Sequence, residues 1–368
     1  MIEIVGNIFG SLSERMRLTP QDVRWHGEGD VLTHTRMVCE ALGALPQYAE
    51  LPGRQREILM AAAMLHDVGK VVVTRSVAGA IEAPHHAPVG ARMARERMWL
   101  SGMSGSDELM TLRETVCRLV RHHSFPPHAI DDPDGVPRLH RIAADGLLAA
   151  GFSLRLLCIL ARVDMTGRVC GDREEMLDRI SLCAEMAADE GCLDSCYPFP
   201  SDCTRRTFLS GRDVWKDQAL YDDSWGTVYM MSGLPGTGKD TWIARNLPEL
   251  PMVSLDEIRH ELRYPPTKNQ GIIANLGRER AREYLRRRQP FVWNATDITR
   301  ATRQQLVSLF ESYGARVHIV WLETGWQTLL ERNASRPDAV PRPAIEAMLG
   351  KLELPEACEA ARVDWLCV

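Results

Sequence analysis

The chain of 368 residues is long enough for two ordinary domains, and at 45% hydrophobic and 25% charged it has the balance of a globular protein. Its net charge of −5 excludes a global basic field, so any nucleic-acid contact has to be local. No run of about 18 apolar residues is present, which excludes an apolar membrane span. No basic-then-apolar leader opens the sequence, so a cytoplasmic location is expected.

Along the chain, apolar residues recur at helical spacing over Val31 to Leu45, Ile58 to Val68, Leu112 to Val120 and Leu154 to Val163. Nine of the 11 histidines fall between His26 and His140, all inside this helical half. Ten cysteines are scattered and are expected as reduced thiols; the loose group Cys183, Cys192, Cys196 and Cys203 lacks the spacing of a zinc site. Turn formers crowd the stretch from Gly191 to Asp202, which marks a linker. From Trp225 short apolar strands (Val228 to Met231, Met252-Val253, Phe291 to Trp293, Val317 to Leu322) alternate with helical patterns. That alternation predicts a parallel sheet with crossover helices. The expected division is 1–190 for an all-α helical bundle, 191–224 for a connecting segment, and 225–368 for an α/β domain.

In the first half, His66-Asp67 stands inside Leu65-His-Asp-Val-Gly-Lys70, with His34 before it, His86 and His122-His123 after it, and Asp164 near the end of an apolar helix. Imidazole and carboxylate are ligands for transition metals, and a helical bundle can project them inward from several helices. The order His34, His66-Asp67, Asp164 resembles the HD phosphohydrolase superfamily over roughly residues 20 to 185. His86 and the pair His122 and His123 look like the extra ligands of its two-metal members, with His85 an alternative to His86 and one of the pair an alternative outer partner. The resemblance implies hydrolysis of phosphate esters with one or two ions among manganese, cobalt, nickel, copper, iron and zinc. Lys70, one turn past His66, reads either as a contact to substrate phosphate or as a solvated charge.

In the second half, Gly233-Leu-Pro-Gly236-Thr237-Gly238-Lys239 follows an apolar strand and opens a helix. This is a phosphate-binding loop, whose backbone N–H groups and Lys239 cradle a nucleoside triphosphate. Asp240 stands where Ser or Thr normally meets magnesium, with Thr241 next, so Asp240 reads as a magnesium partner or a helix cap. Asp256 and Arg259 follow the second strand, placed to take a hydroxyl proton and hold a phosphate. Arg332 and Arg336, four apart, are expected on one helical face as a lid over the transferring group. The basic run Arg278 to Arg288 reads either as a nucleic-acid track or as a salt-bridged surface helix, and Tyr284 and Trp293 either stack bases or pack in the core.

The loop, the Asp-x-x-Arg element and the Arg-x-x-x-Arg pair resemble phage-type 5′-hydroxyl polynucleotide kinases over roughly residues 226 to 368. This chain has Asn294 where that family commonly has Asp. The two halves together resemble the bacterial HD-Pnk end-healing family. That resemblance implies removal of 2′,3′-cyclic, 2′- or 3′-phosphate ends and phosphorylation of 5′-hydroxyl ends of RNA or DNA, from ATP or another nucleoside triphosphate with Mg2+, ahead of a nucleic-acid ligase. The alternatives are an HD nucleotidase fused to a small-molecule kinase, and a nucleotide sensor without turnover.

Overall fold

The computed structural model describes residues 1–265, 271–336 and 338–368. They form two compact units, Met1–Ser104 with Glu108–Pro198, and Gly105–Asp107 with Phe199–Val368.

The longer helices of the first unit are α1 (Ile2–Arg17), α2 (Val31–Ala44), α3 (Gly53–Leu65), α4 (His86–Leu100), α5 (Asp107–His122), α6 (Leu154–Thr166) and α7 (Arg173–Asp189). Asp30 starts α2 by accepting the Thr33 N–H at 2.9 Å, and Ser153 starts α6 by accepting from Leu156 at 3.3 Å. The buried stripe of α2 is Val31, Thr35, Val38 and Leu42, and His34 lies within it. In α6 Asp164 continues the buried stripe of Leu157, Leu160 and Ala161. Helical periodicity therefore aims a histidine and a carboxylate into the core, where α2 packs against α3 and α6. Two features were not expected from the sequence: α1 itself, and an antiparallel hairpin of Arg75–Val77 with Ala80–Glu82.

The second unit is built on five parallel strands, β1 (Thr227–Ser232), β2 (Met252–Ser254), β3 (Phe291–Asn294), β4 (Arg316–Glu323) and β5 (Arg362–Cys367), in the order β2-β3-β1-β4-β5. The last strand was not anticipated. Its helices include α8 (Asp202–Leu209), α9 (Lys239–Asn246), α10 (Leu255–Glu261), α11 (Gly271–Arg286), α12 (Arg300–Ser312) and α13 (Trp326–Ala334). Met231, Ile243, Val292, Val320 and Leu322 form a buried cluster between sheet and helices. Within the stretch read as a connecting segment, α8 is tied to this unit: Arg206 pairs with Glu311 at 2.9 Å and donates to the Cys358 carbonyl at 2.7 Å. The strand order places β1 at the centre, so its carboxyl end opens onto the crevice where such sheets bind nucleotides.

Candidate active sites

The α3 helix stops at Leu65, and the turn that follows presents His66 and Asp67 to the core. Around them, donor atoms gather in two sets that share Asp67. In one, His34 Nε2 lies 3.3 Å from His66 Nε2, 3.0 Å from Asp164 Oδ1 and 3.6 Å from Asp67 Oδ2. In the other, His86 Nε2 lies 3.3 Å from His123 Nε2 and 3.4 Å from Asp67 Oδ1.

Most of the remaining ring nitrogens are hydrogen-bonded, and Nδ1 of His34, which makes no hydrogen bond of good geometry, lies close to a carboxylate. Nδ1–H of His66, His86 and His123 donates to the carbonyls of Ala63, Ala83 and Val120 at 2.8, 3.0 and 2.7 Å. Glu28 Oε1 lies 2.8 Å from Nδ1 of both His34 and His26, while its other oxygen accepts the Val169 N–H at 2.9 Å. These partners turn the Nε2 lone pairs inward, the tautomer a metal needs.

The donor set fits metal. Ligands about 2.1 Å from one ion lie about 3.0–3.4 Å apart in neighbouring positions, close to the separations seen. Asp67 Oδ1 is buried and accepts no hydrogen bond among the described residues, a costly state unless a cation meets it. Burial opposes charge on Asp67, but Lys70 and His66 hold its carboxyl well below the usual range. Burial likewise drives His123 down to about 3, with the neighbouring rings of His66 and His86 adding to it, so it stays a neutral ligand.

Lys70 is buried rather than solvated: its Nζ lies 2.7 Å from Asp67 Oδ2 and donates to Gln21 Oε1 at 2.7 Å. Arg168 donates to both oxygens of Asp164, at 3.0 and 3.1 Å. Both cations line a cleft of about 280 Å³ with His26, His86, His123 and His128. His122 departs from the expectation that joined it to His123. It ends α5 on the other side and meets Asp145 Oδ2 at 3.1 Å. His85 is exposed in a left-handed conformation, outside both sets. Glu28, Gln21 and Arg168 were missed from sequence; only Arg168 had a readable signal, one helical turn beyond Asp164. No cysteine joins a metal-binding group among the described residues.

In the second unit the phosphate loop leaves β1 with Gly233, Gly236 and Gly238 all at positive φ. A Cβ at Gly236 would fall 2.7 Å from the Leu329 carbonyl oxygen, so only glycine fits there. Lys239 Nζ folds over the loop and donates to the carbonyls of Gly233 and Leu234 at 2.9 and 3.0 Å. Burial lowers its pKa to about 8, against the opposing pull of Asp240 and Asp256. Thr237 is buried and donates to the Leu234 carbonyl at 2.9 Å, which braces the loop. Asp240 and Thr241 are exposed on the first turn of α9.

Asp256, on α10 at the end of β2, is hydrogen-bonded by Arg259 and has Arg336 Nη2 at 3.6 Å. The expected lid helix ends at Ala334, because Ser335 caps it, so Arg332 and Arg336 do not share a helical face. Arg336 turns to Asp256, whereas Arg332 donates to the Val368 carbonyl at 3.4 Å and its Nη1 lies 3.4 Å from where a Cβ of Gly238 would be. Both guanidinium groups still border the loop's surroundings. Asn294 ends β3 beside β1 and donates its amide N–H to Asp240 Oδ1 at 2.6 Å.

Trp293 is buried and donates its indole N–H to Asp297 at 2.7 Å, and Tyr284 stacks on Phe291, so both serve the core. Burial raises the Asp297 carboxyl to about 6. In the basic run, Arg280 pairs with Glu261 and Arg282 bonds Glu279 at 2.5 Å. Arg286, Arg287 and Arg288 are exposed just before β3 begins, at the amino-terminal end of the parallel strands, whereas the phosphate loop follows the carboxyl end of β1.

Comparison with known families matches each half of the chain to a domain family. Residues 30–163 match the HD domain family, and residues 228–355 match an AAA domain family, AAA_33. A search of curated proteins finds no match. Among solved structures, the chain is similar to a "putative kinase" from Chloroflexus aurantiacus J-10-fl at 15% identity, over 39% of this chain and 86% of that one, with a TM-score of 0.34. The chain joins an HD domain to an AAA_33 domain that carries a phosphate loop, and no helix among the described residues is long and apolar enough to cross a membrane.

Proposed function

We propose that this protein heals nucleic-acid ends, its HD domain removing 2′,3′-cyclic, 2′- or 3′-phosphate and its kinase-like domain phosphorylating 5′-hydroxyl groups of RNA or DNA. One observation carries the reading: a single chain holds one site fit for removing phosphate and another fit for adding it, with Asp256 set between two arginines beside the lysine of the phosphate loop.

In the HD domain, His34, His66, Asp67 and Asp164 would hold one transition-metal ion, and Asp67, His86 and His123 a second. Bound metal supplies an acidic water and takes up phosphoryl charge. The chain's own part is orientation and anion binding. Lys70 and Arg168 bring positive charge to the cleft wall, each tethered to a carboxylate, and so can receive the phosphate oxygens.

In the kinase-like domain, the loop amides and Lys239 hold the donor phosphates, with Mg2+ as the accompanying ion. Asp256 accepts the proton of the attacking 5′-hydroxyl, Arg259 fixes that carboxylate, and Arg332 and Arg336 offset charge on the group in transfer. The products, a 3′-hydroxyl and a 5′-phosphate, are the ends a ligase joins.

A second reading is favoured by a specific observation. The exposed arginines at 286–288 stand at the amino-terminal end of β3, the end of the sheet opposite the phosphate loop, so this part of the basic run does not border the site. On that reading the chain is an HD nucleotidase fused to a small-molecule kinase. Kinetics with 5′-hydroxyl and 3′-phosphate substrates from one to ten nucleotides separate the two. End healing predicts kcat/KM rising with length at both sites. Equal or higher kcat/KM on mononucleosides and mononucleotides refutes it.

A further inference from the structure

The kinase-like site holds two departures from the usual phosphate-loop pattern, and the fold brings them together. In that pattern a neutral Ser or Thr hydroxyl follows the loop lysine and an Asp carboxylate closes a neighbouring strand, both serving the nucleotide's magnesium. Here the carboxylate, Asp240, follows Lys239, and the neutral side chain, Asn294, closes β3. β3 lies directly beside β1, with Asn294 in register with Met231, one residue before the strand's end. The two side chains meet at 2.6 Å, Asn294 Nδ2 donating to Asp240 Oδ1.

The contact also fixes the asparagine. Its amide oxygen cannot face a carboxylate oxygen at that distance, so the N–H₂ side is turned toward Asp240 and carries no lone pair for a cation. Two nearby carboxylates are engaged. Asp297 is buried and takes the Trp293 indole N–H, and Asp256 is held by Arg259 with Arg336 close by. Thr241 is rotated about 100° around α9 from Asp240 and does not replace it.

We infer that the two positions have exchanged chemistry: Asp240 supplies the anionic oxygen that magnesium meets in the nucleotide complex, and Asn294 is the positioning residue that aims it. One charge is kept in the site and is moved from the strand end to the helix start. Asp240 Oδ1 is occupied by the amide, which leaves Oδ2 for a hard cation. This inference rests on the reading of the loop as a magnesium–nucleotide site, not on the identity of the phosphate acceptor.

The test is Mn2+ titration followed by electron paramagnetic resonance, with a non-hydrolysable ATP analogue bound to wild type, D240N, D240S and the double variant D240S/N294D. Circular dichroism checks each fold, and analogue binding is measured separately in chelator. We expect D240N and D240S to weaken Mn2+ in the ternary complex by about tenfold or more, because a ligand charge is lost. Chelator-phase analogue binding should stay near wild type, and D240S/N294D should regain most of the Mn2+ affinity. D240N binding Mn2+ as tightly as wild type overturns the inference, as does a folded double variant no better than D240S. Wild type that binds no analogue under any condition removes the magnesium–nucleotide reading and this inference with it; wild type that binds it while D240N is unaffected removes this inference alone.

Discussion

Glu28 shows how much of the HD site rests on one side chain outside the expected ligands. Its carboxylate sits 2.8 Å from Nδ1 of His34 and of His26 and is itself anchored by the Val169 N–H. Neutral Glu28→Gln keeps the shape but offers one donor and one acceptor where two rings need an acceptor. Metal affinity should fall about 10- to 100-fold, the usual effect of removing a ligand's outer partner. Metal content after dialysis and phosphoesterase rate both report it, while nucleotide binding at the phosphate loop should be unchanged; full metal occupancy in the variant contradicts the assignment.

Lys239 makes a pH prediction at the same scale. Burial lowers its pKa to about 8, and a bound triphosphate must raise it again. Above pH 8 the free protein has lost the proton that the complex holds, so binding takes up a proton and affinity falls as pH rises through this range. Below pH 8 lysine is charged in both states and the dependence vanishes. Calorimetry in buffers of different ionisation enthalpy measures the uptake directly; no proton uptake at pH 8.5 contradicts the assignment. Such residue-level facts were partly legible. The histidine order and the glycine loop announce their chemistry in sequence, whereas Glu28 lies in an irregular segment with no periodicity to place it, and His122 could be told from His123 only by the rotation at the end of α5.

At the scale of elements, the HD turn and α4 are locked by two glycines. A Cβ at Gly69 would fall 2.0 Å from the His86 carbonyl oxygen and 2.6 Å from the Gly90 backbone nitrogen. That close approach sets His86 against Asp67 and thereby builds the second donor set. Gly69→Ala must separate the turn from α4, with an expected loss of about 1–3 kcal/mol from the forced repacking. A lowered melting temperature with loss of metal from the site is predicted; an unchanged melting curve and unchanged metal content would refute the packing argument.

The strands and helices that carry both sites follow from apolar periodicity, which is why α2, α6 and β1 to β4 were readable in advance. The last strand was not. In Arg362 to Cys367 only Val363 and Trp365 are buried, and the strand forms by closing the sheet beside β4, a long-range pairing that so short a pattern does not reveal. The shared helical face expected for Arg332 and Arg336 is absent for a different reason. Spacing of four implies a shared helical face only while the helix lasts, and here it stops at Ala334, before Arg336.

For the whole molecule, the described residues divide into two units, one matching the HD domain family and the other AAA_33, and a phosphate chemistry is proposed for each. The central claim is that these chemistries act on the two ends of one broken strand. Its most direct test is a short RNA carrying a 5′-hydroxyl and a 2′,3′-cyclic phosphate, incubated with ATP, Mg2+ and a series of transition metals, with both ends resolved. Wild type should yield a 5′-phosphate and a 3′-side hydroxyl; Asp67→Ala should keep only the first product and Asp256→Ala only the second, each lost step falling by about 100-fold or more. RNA ends left intact by wild type, alongside turnover of mononucleotides, would contradict the claim.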